Sequence, residues 1–223
     1  MVKESIGDIM TQSQSIYAGH LDNLTKIQDK LVRDIDSMRD RYREINGEDP
    51  IEHVLSRIKS EESMREKCVR KGLPVTGESA VREIKDAIGV RIVCTFIDDI
   101  YLIKEEIAKL PGIYIDREKD YVRHAKPNGY RSYHLILRIT PQYYEGDETE
   151  GTLDSVDGIY YAEIQLRTIS MDTWAALEHQ LKYKKDISGN TVLITSELKR
   201  CADELAATDA SMQTIHDMIN SNE

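Results

Sequence analysis

The residues best suited to chemistry gather in one stretch, Lys126-Pro-Asn-Gly-Tyr-Arg-Ser-Tyr-His-Leu-Ile-Leu-Arg-Ile139. Pro127-Asn128-Gly129 predicts a turn, because proline fixes φ and the next two residues tolerate positive φ. The residues after the turn alternate like a strand. Tyr133, Leu135, Leu137 and Ile139 share one face, and Ser132, His134, Ile136 and Arg138 the other. A turn feeding a strand brings Lys126, Tyr130, Arg131 and His134 together. Cations, a stackable ring and an imidazole suit a phosphorylated base; a strand with one solvated polar face fits the same residue types.

A second strand sorts its residues in the same way. Over Tyr160–Thr168, Ala162, Ile164 and Leu166 face one side, and Glu163, Gln165 and Arg167 the other. An acid, an amide and a guanidinium on one face point to a ligand or to a sheet with one face in water. Asp86-Ala-Ile-Gly-Val-Arg-Ile-Val-Cys-Thr-Phe96 adds a carboxylate where a short helix (about 79–87) enters a β-branched strand (89–96), with Arg91 early in that strand. Carboxylates at strand edges serve as Mg²⁺ ligands in phosphoryl transfer, and a helix-end Asp is also commonly just solvated. Ile51–Lys71 reads as helical, with Ile51, Val54, Leu55 and Ile58 inward. Its Arg57, Lys59, Ser63, Lys67 and Arg70 form either a cationic face for a triphosphate or a solvated surface.

These candidates sit in a chain of 223 residues with a net charge of −10, 40% hydrophobic and 31% charged residues. Such a composition is that of a globular protein able to bury a core. The acidic balance argues against bulk nucleic-acid binding. It is nonetheless uneven: residues 57–71 hold six Lys/Arg against three Glu, and residues 119–138 hold five against Asp120 alone. Local basic patches of this kind fit small polyphosphates. With no eighteen-residue apolar run and no apolar segment near Met1, neither a membrane span nor a secretory signal is expected. Cys68, Cys94 and Cys201 lack CxxC spacing, so they read as reduced thiols of a cytoplasmic protein, and zinc is not expected.

The elements that must position the candidates emerge from periodicity. Leu21–Tyr42 carries apolar residues at spacings of three and four, an amphipathic helix that Gly47-Glu-Asp-Pro50 ends. Asp98–Leu110 is helical, Ile113–Tyr121 a strand, and 141–158 a polar, mobile loop. Met171–Lys185 is a helix with Trp174, Leu177 and Leu181 inward, and Thr195–Ile219 is a last helix burying Leu198, Cys201, Leu205, Met212 and Ile215. His216-Asp217 has the letters of a metal-phosphohydrolase dyad, but no partner histidine motif accompanies it. The order predicts an α/β (α+β) protein, a mixed sheet of four or five strands flanked by helices.

Taken together, Asp86-Ala-Ile-Gly-Val-Arg91, Lys126-Pro-Asn-Gly-Tyr-Arg-Ser-Tyr-His134, Glu163-Ile-Gln-Leu-Arg-Thr168, Trp174 and Glu178-His-Gln-Leu-Lys-Tyr-Lys184 resemble the synthetase domain of the RelA/SpoT family. The resemblance runs from about Ile51 to Lys185. It implies a nucleotidyltransferase-like domain at 51–186, with an N-terminal helical extension (1–50) and a C-terminal helix (187–223). The length matches the stand-alone small alarmone synthetases, and Thr168-Ile-Ser-Met-Asp-Thr-Trp-Ala-Ala-Leu-Glu178 favours the RelP-like branch over the RelQ-like one.

The activity implied by the resemblance is transfer of pyrophosphate from ATP to the 3′-hydroxyl of GDP or GTP, releasing AMP. By the same resemblance Asp86 and Glu163 are catalytic and hold Mg²⁺, and Glu163 orients or deprotonates the attacking hydroxyl. Arg57 and Arg91 sandwich the adenine, with Lys59, Ser63, Lys67 and Arg70 completing the ATP site. Tyr130 stacks on guanine; Lys119, Lys126 and His134 meet the acceptor's phosphates; Gln165 contacts the acceptor. Asp172 departs from the Asn of RelQ-like relatives, which leaves a guanine contact there open. The resemblance also implies a homo-oligomer, typically a tetramer, with the long terminal helices supplying the contacts. The rival is a non-catalytic guanine-nucleotide-sensing module, against which the pair Asp86 and Glu163 argues.

Overall fold

A computed structural model describes residues 15–146, 158–183 and 190–221. Helix α1 (Leu21–Asn46) leads into strand β1 (Ile51–Ile58) and helix α2 (Glu61–Arg70). A single π-helical turn (Ser79–Glu83) precedes β2 (Ile88–Cys94), α3 (Ile97–Ala108), β3 (Ile113–Asp120) and β4 (Tyr133–Ile139). Then come α4 (Pro141–Glu145), β5 (Tyr160–Thr168), α5 (Ile169–Tyr183) and α6 (Thr191–Asn220). The sheet has the order β1-β2-β5-β4-β3, with β2 and β5 parallel and every other pair antiparallel. The expected mixed sheet flanked by helices is therefore present, with five strands.

The sheet has one apolar and one polar face. Ile88, Val90 and Ile92 of β2, Leu135 and Leu137 of β4, and Ala162, Ile164 and Leu166 of β5 are all buried in the core. Leu24, Ile27, Leu31, Ile35 and Met38 of α1 join the same core. Burying these five side chains contributes on the order of 10 kcal/mol at ~2 kcal/mol each, an upper bound against a fully extended reference. That is far more than helix propensity supplies, so α1 is held by packing.

Residues 51–58 form a strand, where helical spacing predicts a helix. A register shift between Ile51 and His53 explains the discrepancy. Such a bulge resets the alternation by one residue, so Ile51, Val54 and Ile58 reach the core side at spacings that imitate a helix, while Leu55 is 52% exposed on the opposite face. Residues 61–70 are helical as expected. Residues 141–145, assigned to a loop, form the short helix α4, started by Pro141 at its first turn. The rest of that loop lies mostly outside the described residues.

The last two helices also depart from expectation. Trp174 is buried, but Leu177 and Leu181 are exposed. On α6 the one buried residue among those described is Ala202; Cys201, Met212 and Ile215 are exposed. Leu198 and Leu205 are half-buried on the same side as Ala202, so the helix docks through a short inward row while the rest of the expected stripe is exposed. His216 is no metal dyad: its Nε2 lies 2.9 Å from Glu48 Oε2 and its ring stacks on Phe96, with centroids 4.2 Å apart.

Candidate active site

The polar face of the sheet collects the residues singled out above. Cross-strand register places Arg57 opposite Gly89, Gly89 beside Glu163, Arg91 beside Gln165, Gln165 opposite His134, and His134 opposite Lys119. Because side chains alternate along each strand, these positions all project from one face. An open cleft of about 680 Å³ lies over it, lined by Arg57, Lys59, Asp86, Arg91, Glu163 and Gln165 among others.

Gly89 lets the cleft extend across β2. An added Cβ there would meet the Arg57 side chain at 3.9 Å, ordinary contact, so the glycine leaves an open strip between the two arginines and is not required by backbone strain. Asp86 sits in the turn before β2 and accepts from Lys59 Nζ at 3.1 Å and Lys67 Nζ at 2.5 Å, both on Oδ2. Burial pushes its carboxyl up, but the two ammonium groups outweigh this and hold it below the usual range. Its other oxygen, Oδ1, is buried without a hydrogen-bond partner among the described residues. An ionised carboxylate with one oxygen unsatisfied is a ready ligand for a hard cation. Among the described residues no cluster of three or more His, Cys, Asp or Glu could hold a metal ion.

The second half of the site is a directed chain of hydrogen bonds. Arg167 Nη2 donates to the Tyr130 hydroxyl (2.9 Å), Tyr130 Oη lies 2.8 Å from His134 Nε2, and His134 Nδ1 lies 3.0 Å from Glu163 Oε1. A carboxylate only accepts, so Nδ1 carries the proton; a neutral imidazole then accepts from Tyr130 at Nε2, an assignment made from the network. Every donor points toward Glu163. Burial pushes Glu163 up, yet the His134 hydrogen bond, with further help from Lys67, brings it below the usual carboxylate range despite repulsion from Asp86.

Arg167 was not among the residues assigned a role from sequence. It is buried and ties the two halves together, because it also donates to Gln165 Oε1 (3.0 Å) and Asp172 Oδ1 (2.9 Å), while Arg91 approaches the same Asp172 oxygen at 3.2 Å. Burial lowers the pKa of Arg91, and the neighbouring Arg167 charge adds to this, against Asp172. Period-two alternation already puts Arg167 on the polar face; its burial arises from α5, which no strand pattern reveals.

Tyr130 leaves the turn closed by Gly129 N–H donating to Lys126 O (2.8 Å) and Lys126 N–H to Tyr130 O (3.0 Å). The Tyr130 ring meets His134, Tyr121 and Trp174 in edge-on contacts. Lys126 Nζ lies over both the Tyr121 and Tyr130 rings, 4.7 Å from each centroid. Tyr121 was missed in the sequence because it ends a strand with no alternation to mark it. Lys119 is exposed at the β3 side of this cluster. Ser63 and Arg70 are exposed on α2, outside the cleft lining, with Ser63 in the first turn capped by Ser60.

Residues 56–188 match the family described as a region found in RelA / SpoT proteins. The chain is 39% identical over 175 residues to the GTP pyrophosphokinase YwaC of Bacillus subtilis, covering 77% of this chain and 76% of that protein. Its structure is similar to small alarmone synthetase 2 of Bacillus subtilis, with a TM-score of 0.73 at 34% identity, covering 91% of this chain and 98% of that one. It is also similar to small alarmone synthetase 1 of Bacillus subtilis bound to its product pppGpp, with a TM-score of 0.74 at 30% identity, covering 92% and 98%. On sequence and on structure, the chain belongs to the RelA/SpoT family.

Proposed function

We propose that this protein is a (p)ppGpp synthetase that transfers the pyrophosphate of ATP to the 3′-hydroxyl of GDP or GTP. The observation that carries the reading is the pairing, over one sheet face, of the Asp86 carboxylate between two lysines with the Glu163 carboxylate at the end of the Arg167–Tyr130–His134 chain. In the reaction the acceptor 3′-oxygen bonds to the β-phosphorus of ATP, the bond from that phosphorus to the α,β-bridging oxygen breaks, and AMP leaves with the oxygen. Glu163, held ionised, orients the hydroxyl and accepts its proton.

Asp86 and Glu163 are the residues that would hold Mg²⁺, which when bound supplies charge neutralisation on the ATP phosphates. Arg57 and Arg91 flank the adenine across the Gly89 strip. Lys59 and Lys67 share their charge between Asp86 and the phosphates, with Ser63 and Arg70 on either side of Lys67 along the same face of α2. Tyr130 stacks on guanine; Lys126, now over that ring, moves onto the acceptor's phosphates with Lys119 and His134, and Gln165 meets the acceptor. Arg167 positions Tyr130 and Gln165. In-line placement and charge neutralisation account for most of the catalysis.

The synthetase unit is taken as 51–186, between an N-terminal extension (1–50) that carries α1 and a C-terminal one (187–223) that carries α6. The setting is the cytoplasm, in keeping with free Cys68, Cys94 and Cys201 and with the absence, among the described residues, of any helix long and apolar enough to cross a membrane. The protein works as a homo-oligomer, taken as a tetramer. Since α1 spends its apolar stripe on the core, the contacts fall to α6, where Met212, Ile215, Met218 and Ile219 are exposed. The test is incubation with Mg²⁺, ATP and either GDP or GTP, resolved by anion exchange. Equimolar AMP and a guanosine tetra- or pentaphosphate are expected. Tight nucleotide binding without AMP would overturn the reading in favour of a sensing module.

A further inference from the structure

Helix α6 lies outside the sheet, yet several of its inward contacts fall on the supports of Tyr130. Gly129, at φ +91°, faces α6 so closely that a Cβ there would lie 2.5 Å from Ala202 Cβ and 3.1 Å from Lys199 Cα. A glycine against an alanine therefore sets how near the helix comes to the turn. The next residue after Tyr130 is also held: Arg131 donates to Val122 O at 2.8 Å and approaches Asp203 of α6 at 3.7 Å. Trp174, edge-on to Tyr130 with centroids 6.4 Å apart, donates from Nε1 to Leu198 O of α6 at 2.9 Å. Thr168, next in the chain to the Arg167 that holds the Tyr130 hydroxyl, donates to Asp209 of α6 at 2.6 Å.

We propose that α6 is a brace for the acceptor half of the active site and that Ala202 is its positioning residue, acting on Tyr130 through Gly129. This rests on the reading of Tyr130 as the acceptor-stacking residue. The ATP half is coupled to α6 less directly: among the described residues Arg57, Lys59, Asp86 and Lys67 are carried by β1, the turn before β2, and α2, none of which makes one of these contacts, and Arg91 reaches the brace only through Asp172 and Arg167. A change at Ala202, which meets Gly129 directly, is therefore felt chiefly by the acceptor. Purely structural damage would affect both.

The experiment compares the wild type with Ala202→Leu and Ala202→Ser. It reads the KM for GDP, the Kd of a non-hydrolysable ATP analogue without acceptor, and the thermal midpoint. Leucine wedges α6 away from the turn, and the GDP KM is expected to rise at least tenfold while the ATP-analogue Kd stays within twofold. Serine, still small, keeps the GDP KM within about threefold. Folded Ala202→Leu protein with equal losses for both ligands, or with neither, overturns the proposal. Should Ala202→Leu not fold, Asp209→Ala on the same brace decides: a selective rise in GDP KM supports it, and an equal or absent change overturns it. Wild-type protein that forms no AMP overturns the functional reading itself; an active wild type with a non-selective variant overturns only the brace.

Discussion

His134 Nδ1 lies 3.0 Å from Glu163 Oε1, and this contact is a principal reason that a half-buried carboxylate stays ionised. A depressed carboxyl pKa means that the ionised form persists to lower pH, with its function lost as pH falls through the folded value. His134→Ala removes the lowering influence and leaves burial dominant. The acid limb of the kcat–pH profile should move to higher pH in this variant, with ATP binding at neutral pH little changed. An unmoved acid limb would detach His134 from Glu163 in the mechanism.

Asp86 offers a parallel case on the ATP side. Lys67→Ala takes away the nearer of two ammonium partners, and Lys59 remains at 3.1 Å. Losing one partner of a buried pair costs up to 3–5 kcal/mol when nothing else compensates; with Lys59 in place about 1–2 kcal/mol is expected. The KM for ATP should rise roughly tenfold with the GDP KM nearly constant, as steady-state kinetics with each substrate varied would show.

Tyr130 carries two separable functions, a ring and a hydroxyl. Tyr130→Ala removes stacking worth about 1–3 kcal/mol, so the acceptor KM should rise roughly 10–100-fold with ATP affinity retained. Tyr130→Phe keeps the ring but leaves Arg167 Nη2 and His134 Nε2 without their shared oxygen. Leaving buried polar groups unpaired costs ~1–3 kcal/mol, and here the loss should appear in kcat more than in KM. A phenylalanine variant with wild-type kinetics would dismiss the hydrogen-bond chain.

Asp99 gives a stability prediction remote from the cleft. Burial raises its carboxyl to about 6, although it accepts from the Phe96 N–H at the start of α3 at 2.8 Å, with His216 lowering and Glu48 and Asp98 raising it. A carboxyl raised above its unfolded value binds its proton better when folded, so its contribution to stability is greatest at low pH and is lost as pH rises from ~4 to 6. The size is roughly 3 kcal/mol. Asp99→Asn keeps an acceptor oxygen for the Phe96 N–H and should flatten this part of the urea-midpoint-against-pH curve relative to wild type.

Strands β4 and β5 were legible in the sequence because one face of each is buried and the other polar, so period-two alternation survives intact. The same alternation suffices to put His134, Glu163 and Gln165 on polar strand faces. Strand β1 was misread because its bulge and its exposed Leu55 imitate helical spacing. Arg167 and Tyr121 escaped for a different reason: their roles arise from α5 and from ring packing, relationships between elements distant in sequence. Helix α6 shows the limit of periodicity most plainly, since Met212, Ile215, Met218 and Ile219 are exposed and its one fully buried residue among those described is Ala202.

The most direct test is Glu163→Gln, which preserves size and hydrogen bonding while removing the charge at the end of the Arg167–Tyr130–His134 chain. AMP release with Mg²⁺, ATP and GDP would be measured alongside the Kd of a non-hydrolysable ATP analogue. AMP formation should fall by roughly a thousandfold, with analogue binding within about threefold of wild type, in line with the 10²–10⁴-fold contribution of a positioned general base. Turnover close to wild type in the folded variant would contradict this, removing Glu163 from the chemistry and leaving Asp86 and the surrounding cations to account for the reaction.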